Sequence, residues 1–410
     1  MSKKKLLISI ILLLVLGIAL LQIPRVESAL SWRYEKMTIY LKNVVNPPGP
    51  VPTALPITPA PTATERPATV VVEKNPTLVP PTTAPTATTA PLPVQISLSS
   101  PPYEAQTPNN CGPATLSMAL HLYGWEGSQA EIAEQIKPVL QDRNVNPEEM
   151  AYYVRNFAGW LNTGYRVGGD IQTLKKLLAA NYPVIVESVT SLDPNDALHS
   201  SDDLWAAHYL LLTGYDDNAE VFTIQDSYHG ADLTISYAQL EEEWEPFNNL
   251  YMLLYSSDDE SELEFLLGTD WDVDANRQRA LANARSNVEA DPNNAYAWFN
   301  LGSDLVYFEE YEEAALAYDK SRELTWPLRM VRYQFGPFWA YFHADRIDEL
   351  TLLTDYARGI TNMSEETWFW YGWALYRQDD FKGAKAAWEK ALSINDSPYA
   401  DAHGALEYVK

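Results

Sequence analysis

The 410-residue chain has a single cysteine, Cys111, and few basic residues: 29 Lys and Arg stand against 55 Asp and Glu. One cysteine excludes an internal disulfide and every metal site built from several thiolates, and no cofactor or metal is expected. A net charge of -26 at pH 7 repels nucleic acid at long range, so no nucleic-acid partner is expected either. Long apolar runs are scarce, and the notable one is uncharged Leu6 to Leu21, preceded by Lys3, Lys4 and Lys5. The lysines stay cytoplasmic by the positive-inside bias, which exports the rest of the chain.

That run exceeds the roughly 7 to 15 residues of a signal-peptide core and falls slightly short of the roughly 20 of a full membrane span. Residues 1–25 are therefore read as a retained signal anchor or a signal peptide, with 26–45 as a juxtamembrane segment. Trp32, Tyr34 and Tyr40 suit an interfacial belt and favour the anchor. The expected location is the cell membrane, single-pass with the bulk of the chain extracytoplasmic. The alternative is secretion after cleavage behind Ser28.

Residues 46–95 are rich in Pro, Thr and Ala and almost devoid of aromatics, which predicts a semi-rigid spacer without a core. Folded sequence is expected over 96–257, where helical patterns come first. "CGPATLSMALHLYG" places Ala114, Met118 and Leu122 at helical spacing, Ser128 and Glu131 suggest a capping box, Asn146-Pro147 opens a third helix and Asp170 a fourth. Strand patterns follow at 183–189, 208–216, 220–227, 233–237 and 250–256, so an α+β domain with a mainly antiparallel sheet is predicted.

Beyond an acidic joint, 262–410 is helical with repeated aromatics. Aligning two segments 70 residues apart superposes Trp298 on Trp368, Gly302 on Gly372, Tyr311 on Phe381, Ala314 on Ala384 and Tyr318 on Trp388. The pattern resembles tetratricopeptide repeats, with a degenerate unit between the two and a half-unit before them. Such repeats imply an all-α solenoid and a protein partner on its surface.

A catalytic thiol needs stabilisation of its thiolate, a base, and donors for the oxyanion. Cys111 stands where a helix is predicted to begin, a position that favours negative charge. Of six histidines, His121 lies about 15 Å further along that helix, and His343 and His403 belong to the repeats. His199 sits in a very polar loop and His229 in a Gly-containing turn. His208 opens an apolar strand, and Asp226 closes the next one, so antiparallel pairing would bring the carboxylate beside the imidazole. Gln106, five residues before Cys111, offers an amide that could converge with the Cys111 N–H.

These residues in this order, Gln-x4-Cys-Gly-Pro, then "HYLLLTGYD", then a strand-closing Asp, resemble the papain-fold cysteine peptidases related to bacteriocin-processing, double-glycine leader peptidases. The resemblance implies a papain-like α+β fold, with Cys111 as nucleophile, His208 as base, Asp226 as orienting acid and Gln106 as oxyanion donor. Asp226 is followed by Ser227 where the family more usually has proline. The function so implied is a membrane-tethered extracytoplasmic cysteine peptidase acting on a peptide or protein. Two other readings stay open: a catalytically silent peptide-binding scaffold working through its repeats, and transfer of the acyl group to an amine.

Overall fold

The computed structural model describes residues 33–34, 37–38, 41, 44–45, 47, 49–56, 91–142, 144–192, 204–398 and 400–410. The run Leu6–Leu21, residues 57–90 of the proline-rich stretch and His199 lie outside them. Among the described residues no helix is long and apolar enough to cross a membrane.

The first part of the fold is helical. Helix α1 (Cys111–His121) is followed by α2 (Gln129–Ile136), α3 (Pro147–Phe157) and α4 (Ile171–Ala179). The helical spacing of Ala114 and Met118 marks only one face of α1, yet every residue from Gly112 to Leu120 is buried, so this helix is central to the domain. Leu122 lies beyond its end. The capping box also differs from expectation. It forms at Asn146 and Glu149, whose carboxylate takes the Asn146 N–H at 2.7 Å, whereas the Ser128 hydroxyl turns to the Glu131 carboxylate. Asp170 caps α4 by accepting from the Thr173 N–H at 2.6 Å.

The strands are β1 (Gln95–Ser97), β2 (Asn162–Arg166), β3 (Val184–Ser191), β4 (Trp205–Asp216), β5 (Val221–Asp226), β6 (Gly230–Ser236) and β7 (Tyr251–Tyr255). They form one sheet in the order β2-β7-β3-β4-β5-β6, every pairing antiparallel, with β1 beside the end of β4. One core joins α1, α2 and α3 to Ile185, Tyr209, Leu211 and Met252, and another joins α4 to Val184, Val186, Leu210 and Leu212. The alternation along β3 and β4 thus serves two buried faces.

After α5 (Tyr237–Trp244) and α6 (Glu260–Leu267) the chain becomes the helical region, which opens with α7 (Val273–Ala290). Three hairpins follow: α8 (Ala295–Tyr307) with α9 (Tyr311–Glu323), α10 (Gly336–His343) with α11 (Ile347–Ile360), and α12 (Glu365–Arg377) with α13 (Phe381–Leu392). A short α14 (Ala402–Ala405) comes last. Gly302 and Gly372 are equivalent in space as well as in sequence. A Cβ at Gly302 would lie 2.8 Å from the Tyr318 ring, and one at Gly372 would lie 2.3 Å from Trp388, so each glycine lets its helix pair close. Trp298 and Trp368 match too, since each indole N–H donates at 2.9 Å to a carbonyl six residues earlier.

The helical region packs against the sheet domain through a shared core in which Trp205 stacks on Phe247 and meets Tyr333. Polar ties flank it: Asn248 donates to Asp304 at 2.7 Å, Gln334 to the Pro246 carbonyl at 2.7 Å, and Asn395 to the Ile136 carbonyl at 3.0 Å. Among its described residues the proline-rich stretch departs from a free spacer at two places: residues 93–95 join the end of β4, and residues 51–56 dock on the repeats. Arg322, buried between α9 and α11, donates to the Pro52 carbonyl at 2.7 and 3.0 Å, the Leu55 N–H reaches Glu349, and Val51 packs on the shared core. A buried guanidinium needs acceptors, and a segment outside helix and sheet has carbonyls free to supply them.

Candidate active site

Helix α1 begins at Cys111, so the Cys111 N–H is one of its leading donors without an intrahelical partner. The thiol is half-buried at the edge of the α1–α3 core. The loop before it is held by Gln129, which is 4 % exposed. The Gln129 Oε1 accepts from the Thr107 N–H at 2.7 Å and from Asn110 Nδ2 at 2.9 Å, while its Nε2 donates to the Ala105 carbonyl at 2.8 Å. One buried amide therefore sets the path of 105–110, and with it both Gln106 and Cys111.

Gln106 is fixed from the other side by Ser227. Its N–H donates to the Ser227 carbonyl at 2.8 Å, and the Ser227 hydroxyl donates to its Oε1 at 2.9 Å. The donor end, Nε2, is left over for another acceptor. The serine standing in place of the family's proline thus orients the amide.

His208 is 2 % exposed. The β4–β5 register sets Leu211 against Gln225, which puts Asp226 diagonal to His208 and within side-chain reach. His208 Nε2 lies 2.8 Å from Asp226 Oδ1. The other nitrogen is not taken by Asp226, and Cys111 lies near enough to act electrostatically on the ring. Burial alone would depress the imidazole; Asp226 and Cys111 outweigh it and push its pKa up to about 9. Burial acts against the Asp226 carboxylate as well, but His208 and then His229 hold it well below the usual range. Its Oδ1 also accepts the N–H groups of Tyr228 and His229, at 2.8 and 3.0 Å.

The structure pairs His208 with Asp226, ties Gln106 to Ser227 next to Asp226, and leaves Cys111 within electrostatic reach of His208. His121 is elsewhere, with Nε2 on the Gly127 carbonyl at 3.0 Å. Two neighbours were not singled out. His229 Nδ1 lies 2.7 Å from Asp226 Oδ2, and its "DSYHG" setting gave only a turn signal. Glu187, on β3 opposite Tyr209, is 6 % exposed and within electrostatic reach of Cys111. Burial, then the charges of Glu148 and Cys111, push its carboxyl well above the usual range, opposed by a contact with Tyr209. Strand alternation in "PVIVESV" carries no sign of that setting.

A cavity of about 570 Å³ lies between the two domains, with Glu187 in its wall; Glu148, Tyr165, Trp339, Glu365 and Trp370 also line it. Among the described residues no group of three His, Cys, Asp or Glu could hold a metal ion.

Residues 98–252 match the Peptidase_C39 like family, and residues 365–398 match the tetratricopeptide repeat. Among solved structures, the chain is similar to the peptidase domain of Streptococcus ComA, a bi-functional ABC transporter involved in a quorum-sensing pathway, at 18% identity and TM-score 0.29, covering 39% of this chain and 100% of that one. A double glycine motif protease from an AMS/PCAT transporter, solved with its leader peptide, matches at 16% identity and TM-score 0.28, covering 40% of this chain and 100% of that one. Xylellain, a cysteine protease from Xylella fastidiosa, matches at 16% identity and TM-score 0.32, covering 40% and 87%. No curated protein matches the chain. The chain joins a C39-like, papain-like cysteine peptidase fold to a C-terminal tetratricopeptide-repeat region.

Proposed function

We propose that the protein is an extracytoplasmic cysteine peptidase, tethered to the cell membrane by residues 1–25, whose repeats recruit a protein. The observation that carries this reading is the buried His208 ring, bonded to Asp226 at 2.8 Å and within electrostatic reach of the only cysteine of the chain. His208 takes the Cys111 proton, and the thiolate attacks the scissile carbonyl carbon. The oxyanion accepts from the Cys111 N–H and Gln106 Nε2. The imidazolium then passes its proton to the leaving amine, and the C–N bond breaks to leave a thioester on Cys111. Water, deprotonated by His208, attacks that thioester and releases the new carboxylate and the thiol. Asp226 holds the ring orientation and stabilises the imidazolium throughout.

The tether rests on the apolar run behind Lys3–Lys5, and the peptide class of substrate on the family match. Peptide-library profiling of the full chain beside Cys111→Ala tests the reading. Cleavage by the native protein alone is expected; cleavage by neither would turn the reading to a peptide-binding scaffold, and equal cleavage by both would remove Cys111 from the chemistry.

A further inference from the structure

The cavity between the domains is unusually one-sided in charge. Six carboxyl groups line it (Glu148, Glu149, Glu187, Glu365, Glu366 and Asp401), against one guanidinium, that of Arg277. Arg277 is already engaged by Asp304 at 3.8 Å and lies over the Tyr307 ring. Several of the carboxylates are also satisfied locally. Glu366 accepts from Asn144 and Asn146, and Glu149 from Asn146 and Asn395.

Two are not. Glu365 Oε1 accepts from Asn395 at 3.1 Å, but its Oε2 is buried with no hydrogen-bond partner. Glu187 has the Tyr209 hydroxyl beside it, but the single proton of that hydroxyl goes to the Val145 carbonyl at 2.9 Å. Burial raises both carboxyls well above the usual range, so each resists carrying a charge until a cation or donor arrives. Trp339, 40 % exposed, and Trp370 contribute rings to the same wall and meet edge to face at 4.8 Å. Indole rings in one wall with incompletely satisfied carboxyl groups suit a guanidinium or ammonium group. The chain's overall charge of -26 would draw such a group in from solution.

We propose that this chamber binds a cationic side chain, lysine or arginine, of the peptide substrate, and so makes the enzyme selective for basic peptides. The proposal rests on the peptidase reading for its substrate, and Glu187 links the two sites because it lines the chamber and lies near Cys111. The repeats would then act on specificity directly, since Trp339, Glu365 and Trp370 belong to them.

Binding without cleavage tests this. Full-length Cys111→Ala is titrated, by fluorescence anisotropy, into three fluorescein-labelled Ala/Gly octapeptides carrying two central arginines, glutamines or glutamates. The arginine peptide is expected to bind at least about tenfold more tightly than the glutamine peptide, and the glutamate peptide more weakly still. Glu187→Gln and Glu365→Gln, each introduced into Cys111→Ala, should each remove most of that difference while leaving the thermal midpoint near that of Cys111→Ala. Equal binding of all three peptides overturns the proposal, as does full charge selectivity retained in both folded variants. Selective binding without cleavage of these peptides by the native protein would count against the peptidase reading alone; cleavage blind to charge would count against the chamber alone.

Discussion

Asp226 holds His208 through Nε2 at 2.8 Å while its second oxygen, 2.7 Å from His229 Nδ1, is held by a histidine from the following turn. One carboxylate thus spans two imidazoles, a buried one and a half-exposed one. Replacement of either partner should be read out at His208.

With the His208 pKa raised to about 9, the imidazolium persists through neutral pH. The alkaline limb of kcat/KM should lie near pH 9 and move to lower pH in Asp226→Asn. His229→Ala removes a competing donor from the same carboxylate and should leave the limb in place or move it slightly upward. A pH-rate profile checks this, and a limb unmoved in Asp226→Asn sinks the assignment. The same shift has a stability sign. The folded pKa exceeds the ordinary 6.5, so the stabilisation is complete below about pH 6.5 and is lost as pH rises toward 9. The difference in urea midpoint between native protein and His208→Ala should therefore shrink across that window.

Iodoacetamide should alkylate Cys111 fast at neutral pH, and much more slowly in His208→Ala. Mass spectrometry of the peptide carrying Cys111 measures both rates. A native rate no higher than that of a free peptide thiol would end the nucleophile assignment.

Ser227→Ala should release the Gln106 amide while leaving its backbone tie intact. Steady-state kinetics should show kcat reduced about tenfold with KM little changed, against roughly 10²- to 10³-fold for Gln106→Ala. An undiminished kcat in both variants would remove Gln106 from the oxyanion site.

Gly372→Ala would press a Cβ onto Trp388, whose indole N–H is itself committed to the Phe369 carbonyl at 3.0 Å. We expect a loss of about 1–3 kcal/mol in urea unfolding, and a similar loss for Gly302→Ala against Tyr318. Native stability in both would mean that the helix pairs do not need the close approach.

Deleting residues 49–56 would strip the Pro52 carbonyl from Arg322, whose side chain is fully buried, and take the Leu55 N–H from Glu349. Unfolding in urea should weaken by about 1–3 kcal/mol. An unchanged midpoint would show that water replaces the segment without cost.

The sequence was most legible where chemistry is local. Gln106 and Cys111 share one loop, and the apolar pattern of β4 and β5 brought His208 and Asp226 to neighbouring strands. The paired glycines and aromatics of the repeats were equally readable, because a recurring small-large match leaves a periodic trace. Short polar strands such as "NTGYR" of β2 have no such trace, for they are defined by the partner β7 rather than by alternation. Gln129 and Glu187 were invisible for a related reason. An amide that ties a loop 19 to 25 residues away, and a glutamate placed by strand register, acquire their roles only in three dimensions. The chamber and the docking of residues 51–56 belong to the meeting of two domains, which no single-segment pattern encodes.

The segment at 51–56 also changes the topology of the molecule. Residues 51–56 are pinned to the repeats, and Gln95–Ser97 are built into the sheet beside β4. The chain is therefore fixed to the folded domains on both sides of residues 57–90. With only about 1–3 kcal/mol holding residues 51–56, a single cut within this stretch would let the N-terminal piece come away, visible on a denaturing gel and by size exclusion alike. If the N-terminus is anchored as proposed, such a nick would free the folded domains once Arg322 lets go of Pro52.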